Sequence, residues 1–119
     1  MGWQRLEQFP QLGGIVQASS KRPQLVFKHS TRCSISAAAK YKLEMDLDAL
    51  GEHYDLHFLD LLANRDLSRM VAERFDVVHQ SPQVLVIKGG RATYVASHYD
   101  IDGGELLKLE ASASRAGSH

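Results

Sequence analysis

Apolar positions recur along the chain in two rhythms, and their alternation sets the expected elements. Leu12, Ile15, Val16 and Ala18 fall at helical spacing and predict a helix over 11–19, weakened by Gly13 and Gly14. Ser19 to Pro23 reads as a breaking loop. Gln24 to Lys28 is a short apolar run of β-formers and predicts a buried strand. A polar loop, His29 to Cys33, precedes a helix that starts at Ser34, runs through Ala37-Ala38-Ala39 and stops at Gly51. Tyr54 to Leu59 alternates and predicts a second strand. Leu67, Met70, Val71 and Phe75 form the apolar face of a helix over 65–75, with Asn64 as its N-cap. Val84 to Lys88 and Arg91 to Ser97 flank Gly89-Gly90 and read as a hairpin with a primed turn. Asp102, with Glu105 three residues on, starts a last helix faced by Leu106, Leu107 and Leu109.

The predicted order is helix, strand, helix, strand, helix, strand, strand, helix. The early β-α-β unit crosses over right-handed, so its strands are parallel, while the late hairpin is antiparallel. This gives an α/β fold: a four-stranded mixed sheet with helices on both faces, an order that matches the thioredoxin fold. The expected organisation is a single domain over 1–112, followed by a polar, flexible tail over 113–119.

Composition narrows the function. The 119 residues carry 14 basic and 14 acidic side chains, with 44% apolar and 24% charged residues. The balance is that of an ordinary soluble globular protein and supplies no basic field for a nucleic-acid backbone. No run approaches the roughly 18 apolar residues of a membrane span. MGWQRLEQFPQ has no apolar signal-peptide region, so the expected location is cytoplasmic.

Cys33 is the sole cysteine, which excludes an internal disulfide and a cysteine-built zinc site. A cysteine without context is most often a buried filler. Here the flanks are Ser30, Thr31, Arg32, Ser34 and Ser36, and the position is a strand-to-helix junction. Unpaired N–H groups of the first helical turn and the neighbouring cations Arg32, Lys28 and His29 favour a thiolate, so the reactive reading is preferred. Pro82 reads either as strand punctuation or as the proline of a cis bond, and spacing alone does not choose. Of the six histidines only His53 and His57 are four apart; they straddle a helix end and a strand, so no metal site is expected. His57 reads as a partly exposed strand residue, and His29 either as a solvated loop residue or as a group that tunes Cys33. The glycine pairs match no phosphate-binding fingerprint.

FKHSTRCSIS (27–36), QSPQVLVIKGG (80–90) and SHYDI (97–101) together resemble the YtxJ-like monothiol bacilliredoxins of the bacillithiol system, over about Leu12 to Leu109. The family's proline after the cysteine is replaced here by Ser34, while the serine three on is kept as Ser36. The resemblance implies that Cys33 is the nucleophile and Pro82 a cis-proline facing it. The backbone of Ser81 would then pair with an extended ligand. It implies a monothiol thiol–disulfide oxidoreductase that reduces mixed disulfides between proteins and a low-molecular-weight thiol, bacillithiol. Ser36 cannot resolve the Cys33 adduct, so a second thiol regenerates it. Lys28, Arg32 and Arg91 are candidates to hold the small thiol's carboxylates, with Ser34 and Ser81 beside them. No cofactor, metal, nucleic acid or membrane is implied; the partners are S-thiolated client proteins, and the expected state is monomeric. Two rivals stand beside this reading. One is a redox-inactive thioredoxin-like protein-binding module. The other is an iron–sulfur carrier like monothiol glutaredoxins, which have glycine and phenylalanine where this chain has Ser34 and Ile35.

Overall fold

The computed structural model describes residues 2–117, with side chains described to Glu110. Its elements are β1 (Gln4–Arg5), α1 (Phe9–Ala18), β2 (Gln24–His29), α2 (Ser34–Met45), α3 (Leu47–His53), β3 (Asp55–Asp60), α4 (Arg65–Phe75), β4 (Gln83–Lys88), β5 (Arg91–Ser97), a 3-10 turn (His98–Asp100) and α5 (Gly103–Gly117). They form a five-stranded sheet in the order β1-β3-β2-β4-β5. β2 pairs parallel to β3 and antiparallel to β4. The α/β fold, the parallel crossover and the hairpin are as expected. The fifth strand is β1: two exposed residues parallel to β3 carry no readable period. The expected tail over 113–119 falls where side chains are not described, although the backbone of α5 is helical to Gly117.

β2 is buried along its whole length, and successive side chains point to opposite faces. Leu25 and Phe27 join Leu43, Leu50, Leu56, Val84 and Leu106 in a core covered by α2, α3 and α5. Val26 joins Leu12, Ile15, Leu59, Leu67, Val71 and Leu85 in a second core covered by α1 and α4. Each such side chain contributes about 1.5–3 kcal/mol on burial.

Two helix boundaries differ from expectation. The helix from Ser34 does not run on to a stop at Gly51; it breaks at Asp46 (φ −109°, ψ 15°), and α3 continues through a buried Gly51 to His53. Asp46 is held there by tertiary packing. Its carboxylate lies so close to Gly103, at the start of α5, that a Cβ on Gly103 would be 2.4 Å from Oδ2. α1 starts earlier than expected because the Gln11 side chain accepts the N–H groups of Glu7 and Gln8, both at 2.8 Å.

Other local expectations divide. Gly89 and Gly90 both have positive φ (58° and 77°), as the primed turn requires. Asp102 caps α5 by accepting the Gly104 N–H at 2.8 Å, whereas Glu105 pairs with Lys108 and not with the cap. Asn64 occupies the N-cap position of α4 without a side-chain cap bond; its amide donates instead to the Asp60 carbonyl at 3.2 Å. α4 closes on Asp76 in the left-handed region (φ 54°), with Val77 N–H bonded to Ala72 O at 2.9 Å.

Candidate active site

β2 ends at His29, and four residues later Cys33 is the N-cap of α2 in an extended conformation (φ −109°, ψ 121°). The short loop is fixed from both ends. Cys33 N–H donates to Ser30 O at 3.1 Å, and Cys33 O accepts the Ala37 N–H at 3.1 Å. The thiol is free and partly exposed, and it makes no cap hydrogen bond. The first-turn N–H groups of α2 therefore remain open toward an anion at this position. Arg32 and Ser34 are exposed on either side.

Ser36 lies one turn into α2 and is 0% exposed. Its Oγ accepts the Ser30 N–H at 3.0 Å and shares a hydrogen bond with His29 Nδ1 at 2.7 Å. One side chain thus ties strand, loop and helix together beneath Cys33. His29 is a buried strand residue, not a solvated loop residue. It stacks near Phe27 and Phe58, with ring centroids 5.7 and 5.3 Å away. Burial, and secondly the Lys40 ammonium, hold its pKa below the ordinary histidine value, so the ring is neutral and can accept from Ser36. His57 is likewise buried, not partly exposed, and its Nε2 lies 2.8 Å from Gln24 Oε1.

The Ser81–Pro82 peptide bond is cis, as the resemblance implied. The β2–β4 ladder starts at Lys28 opposite Gln83, so Ser81–Pro82 sits at the end of the sheet from which the Cys33 loop leaves. Pro82 O accepts the His98 N–H at 3.0 Å, and α2 packs against the 3-10 turn that His98 begins. The Ser81 hydroxyl is buried without a hydrogen-bond partner among the described residues.

Two cations expected to hold carboxylates are elsewhere. Lys28 is 0% exposed and lies on the α4 side of the sheet, because strand alternation turns it away from Phe27 and His29. Its Nζ donates to Ser68 O and to His79 Nδ1, both at 3.3 Å. Burial lowers its pKa to about 8. Arg91 follows the Gly89-Gly90 turn, at the end of the hairpin remote from Gln83 and hence from Cys33. The surroundings the sequence did not reveal are Ser68, His79 and Gln83. Period-two counting through Phe27-Lys28-His29 separates the two sides, but nothing local says what α4 places opposite Lys28. Among the described residues no group of three or more metal-ligating side chains is assembled. No helix among them is long and apolar enough to cross a membrane.

Residues 4–106 match the family model described as monothiol bacilliredoxin BrxC. Among solved structures, one titled a putative oxidoreductase with a thioredoxin fold is 28% identical, with 89% of this chain and 91% of that chain covered and a TM-score of 0.76. Thioredoxin from Trypanosoma brucei brucei is 11% identical, covering 96% of this chain and 92% of that one, with a TM-score of 0.74. Malassezia sympodialis thioredoxin is 12% identical, covering 93% and 90%, with a TM-score of 0.72. The last two speak to the fold alone.

Proposed function

The chain belongs to the monothiol bacilliredoxin family, and from that premise we propose that it reduces mixed disulfides between proteins and a low-molecular-weight thiol, bacillithiol, through Cys33. The observation that carries this is the placement of the only cysteine, partly exposed at the N-cap of α2, over a serine whose hydroxyl is engaged in the scaffold.

The Cys33 thiolate attacks the small-thiol sulfur of a mixed disulfide. A Cys33–small-thiol disulfide forms, and the client leaves as a thiolate that takes a proton from water. A second small-thiol thiolate then attacks the adduct. This releases a symmetric small-thiol disulfide and restores the Cys33 thiolate, so the reduction of the client sulfur is matched by oxidation of the one incoming small thiol, the other half of the released disulfide being the former cap. Ser36 cannot take the second step because a hydroxyl does not resolve a disulfide. The open N–H groups of α2 stabilise the sulfur charge in both steps. Arg32 is the remaining cation beside Cys33 for a carboxylate of the small thiol, and Ser34 and Ser81 line its approach. No cofactor enters the cycle. The partners in this reading are S-thiolated clients in the cytoplasm, met by a monomer.

Intact mass spectrometry tests the reading. Incubation with a bacillithiol-capped peptide should move the cap to the protein, and Cys33→Ser should abolish the adduct. Glutathione- and cysteine-capped peptides should transfer more slowly. The wild-type adduct should persist until free thiol is added, whereas Ser36→Cys should expel it and close its own bond. Absence of an adduct with every capped peptide would leave a redox-inactive binding module.

A further inference from the structure

The side of the sheet away from Cys33 holds a group the exchange cycle does not use. The Lys28 ammonium is fully buried, and no carboxylate lies within ion-pair distance of it among the described residues. Its acceptors are neutral: the Ser68 carbonyl on α4 and Nδ1 of His79 in the 76–82 connection. Gln83, its register partner on β4, presents a buried Oε1 that has no partner among the described residues. A buried charge must be met by hydrogen bonds, so the position of His79 is set by the cation it serves.

His79 is three residues before Pro82. The rest of the connection is held mainly at its ends. Val77 N–H bonds to Ala72 O, the Gln83 side chain donates to Val78 O at 3.0 Å, and Pro82 O accepts from His98. Between Val78 and Pro82, the recorded side-chain tether to the sheet is the one from Lys28 to His79. We infer that Lys28 is a positioning residue: through His79 it latches the connection that presents Ser81–Pro82, and protonation of His79 opens the latch.

The chemistry is that of one lone pair. Neutral His79 accepts the Lys28 proton at Nδ1; an imidazolium carries protons on both nitrogens, so two donors and two positive charges would meet at 3.3 Å. Lys28 from β2 and the Ser68 hydroxyl of α4 meet the ring at Nδ1, at 3.3 and 3.5 Å, and Arg65, Arg69 and Glu73 of α4 and Asp76 of the connection line a cleft of about 630 Å3 with His79 at its wall. Arg69 is paired with Asp66. His79 is an exposed residue, but the partial desolvation of its ring first, and Lys28 second, hold its pKa below the ordinary value, which keeps the latch closed near neutral pH.

The effect on exchange rests on the proposed function, but the latch is read without it. Amide hydrogen exchange at His98, whose N–H is held by Pro82 O at the end of this connection, corrected for its intrinsic pH dependence, should show a several-fold loss of protection in the full-length protein between about pH 7.5 and 5. His79→Gln supplies a carbonyl acceptor that does not titrate and should keep protection across that range; His79→Ala should lose it throughout. In Lys28→Met the His79 ring, followed by NMR, should titrate at a higher pH than in the wild type. The inference is overturned if His79→Gln loses protection with acid as the wild type does, or if His79→Ala stays protected. An unmoved ring titration in folded Lys28→Met also overturns it. If exchange occurs, the wild-type KM for capped peptide should rise several-fold with acid while that of His79→Gln does not, and the fall of kcat as thiolates are protonated should be the same in both proteins. A protein that latches as described yet never exchanges would sink the proposed function and leave the latch standing.

Discussion

Lys28 and His29 are adjacent in β2, and strand alternation sends them to opposite sides of the sheet with opposite outcomes. On the α2 side, neutral His29 shares a hydrogen bond with Ser36, Ser36 accepts from Ser30, and the loop leading to Cys33 is closed by groups that all have partners. On the α4 side, Lys28 carries a charge into the interior, is met only by neutral acceptors, and leaves the Gln83 carbonyl oxygen without a partner. A satisfied neutral network makes a rigid support. A buried cation held by a titratable acceptor makes a support that answers to pH. Cys33 stands on the first kind and the Ser81–Pro82 turn on the second.

The largest expected effect attacks the charged side. Burial depresses the Lys28 pKa from 10.5 to about 8, so the unfolded chain binds the extra proton between these values. The penalty of the buried ammonium is therefore full below about pH 8 and vanishes by pH 10.5. Lys28→Met should be more stable than the wild type at pH 7 by about 2–3 kcal/mol, less whatever the latch contributes. That advantage should shrink as pH rises through the same window. Paired urea titrations at successive pH values isolate the difference from other titrating groups.

The neutral side should respond in the opposite sense. Ser36→Ala leaves the Ser30 N–H and His29 Nδ1 without their partner in the interior, at a cost of about 1–3 kcal/mol. Urea unfolding should show this loss near neutral pH, with little change between pH 7 and 9. A variant as stable as the wild type would mean that the network is replaceable by water.

A smaller effect sharpens the contrast at acid pH. His29 has a folded-state pKa below its ordinary 6.5, so its contribution is complete above that value and is lost as pH falls. His29→Gln keeps an acceptor for the Ser36 hydroxyl without a titrating ring, and should flatten the decline of thermal stability below pH 6.5. The smallest effect belongs to the exposed Asp66–Arg69 pair on α4, where Asp66→Ala should change the unfolding free energy by less than about 0.5 kcal/mol.

The elements whose limits could be read locally are those with a complete local signal. α4 runs over 65–75 because its apolar stripe and its polar flanks coincide, and β5 follows the glycine turn directly. Signals that depended on a distant partner misled. Gly51 reads as a helix stop, but the break comes at Asp46, under the start of α5. Lys28 reads as a cation near the thiol that could hold a carboxylate, yet it lies on the α4 side of the sheet, with its acceptors 40 and 51 residues away in sequence.

By itself, the sequence determined the β-α-β unit, the hairpin, the location of Cys33 at a strand-to-helix junction and the serine one turn beyond it. Hydrophobic period and local helix signals act over a few residues and need no partner. Only the tertiary structure decided which face of β2 each polar neighbour serves, that Ser36 is a strut between strand and loop, and that His79 rests on Lys28. Those outcomes follow from desolvation. Once helices close both faces of the sheet, a buried polar atom is costly unless it finds a partner among whatever the fold brings near, and those partners come from chain segments that no local pattern connects.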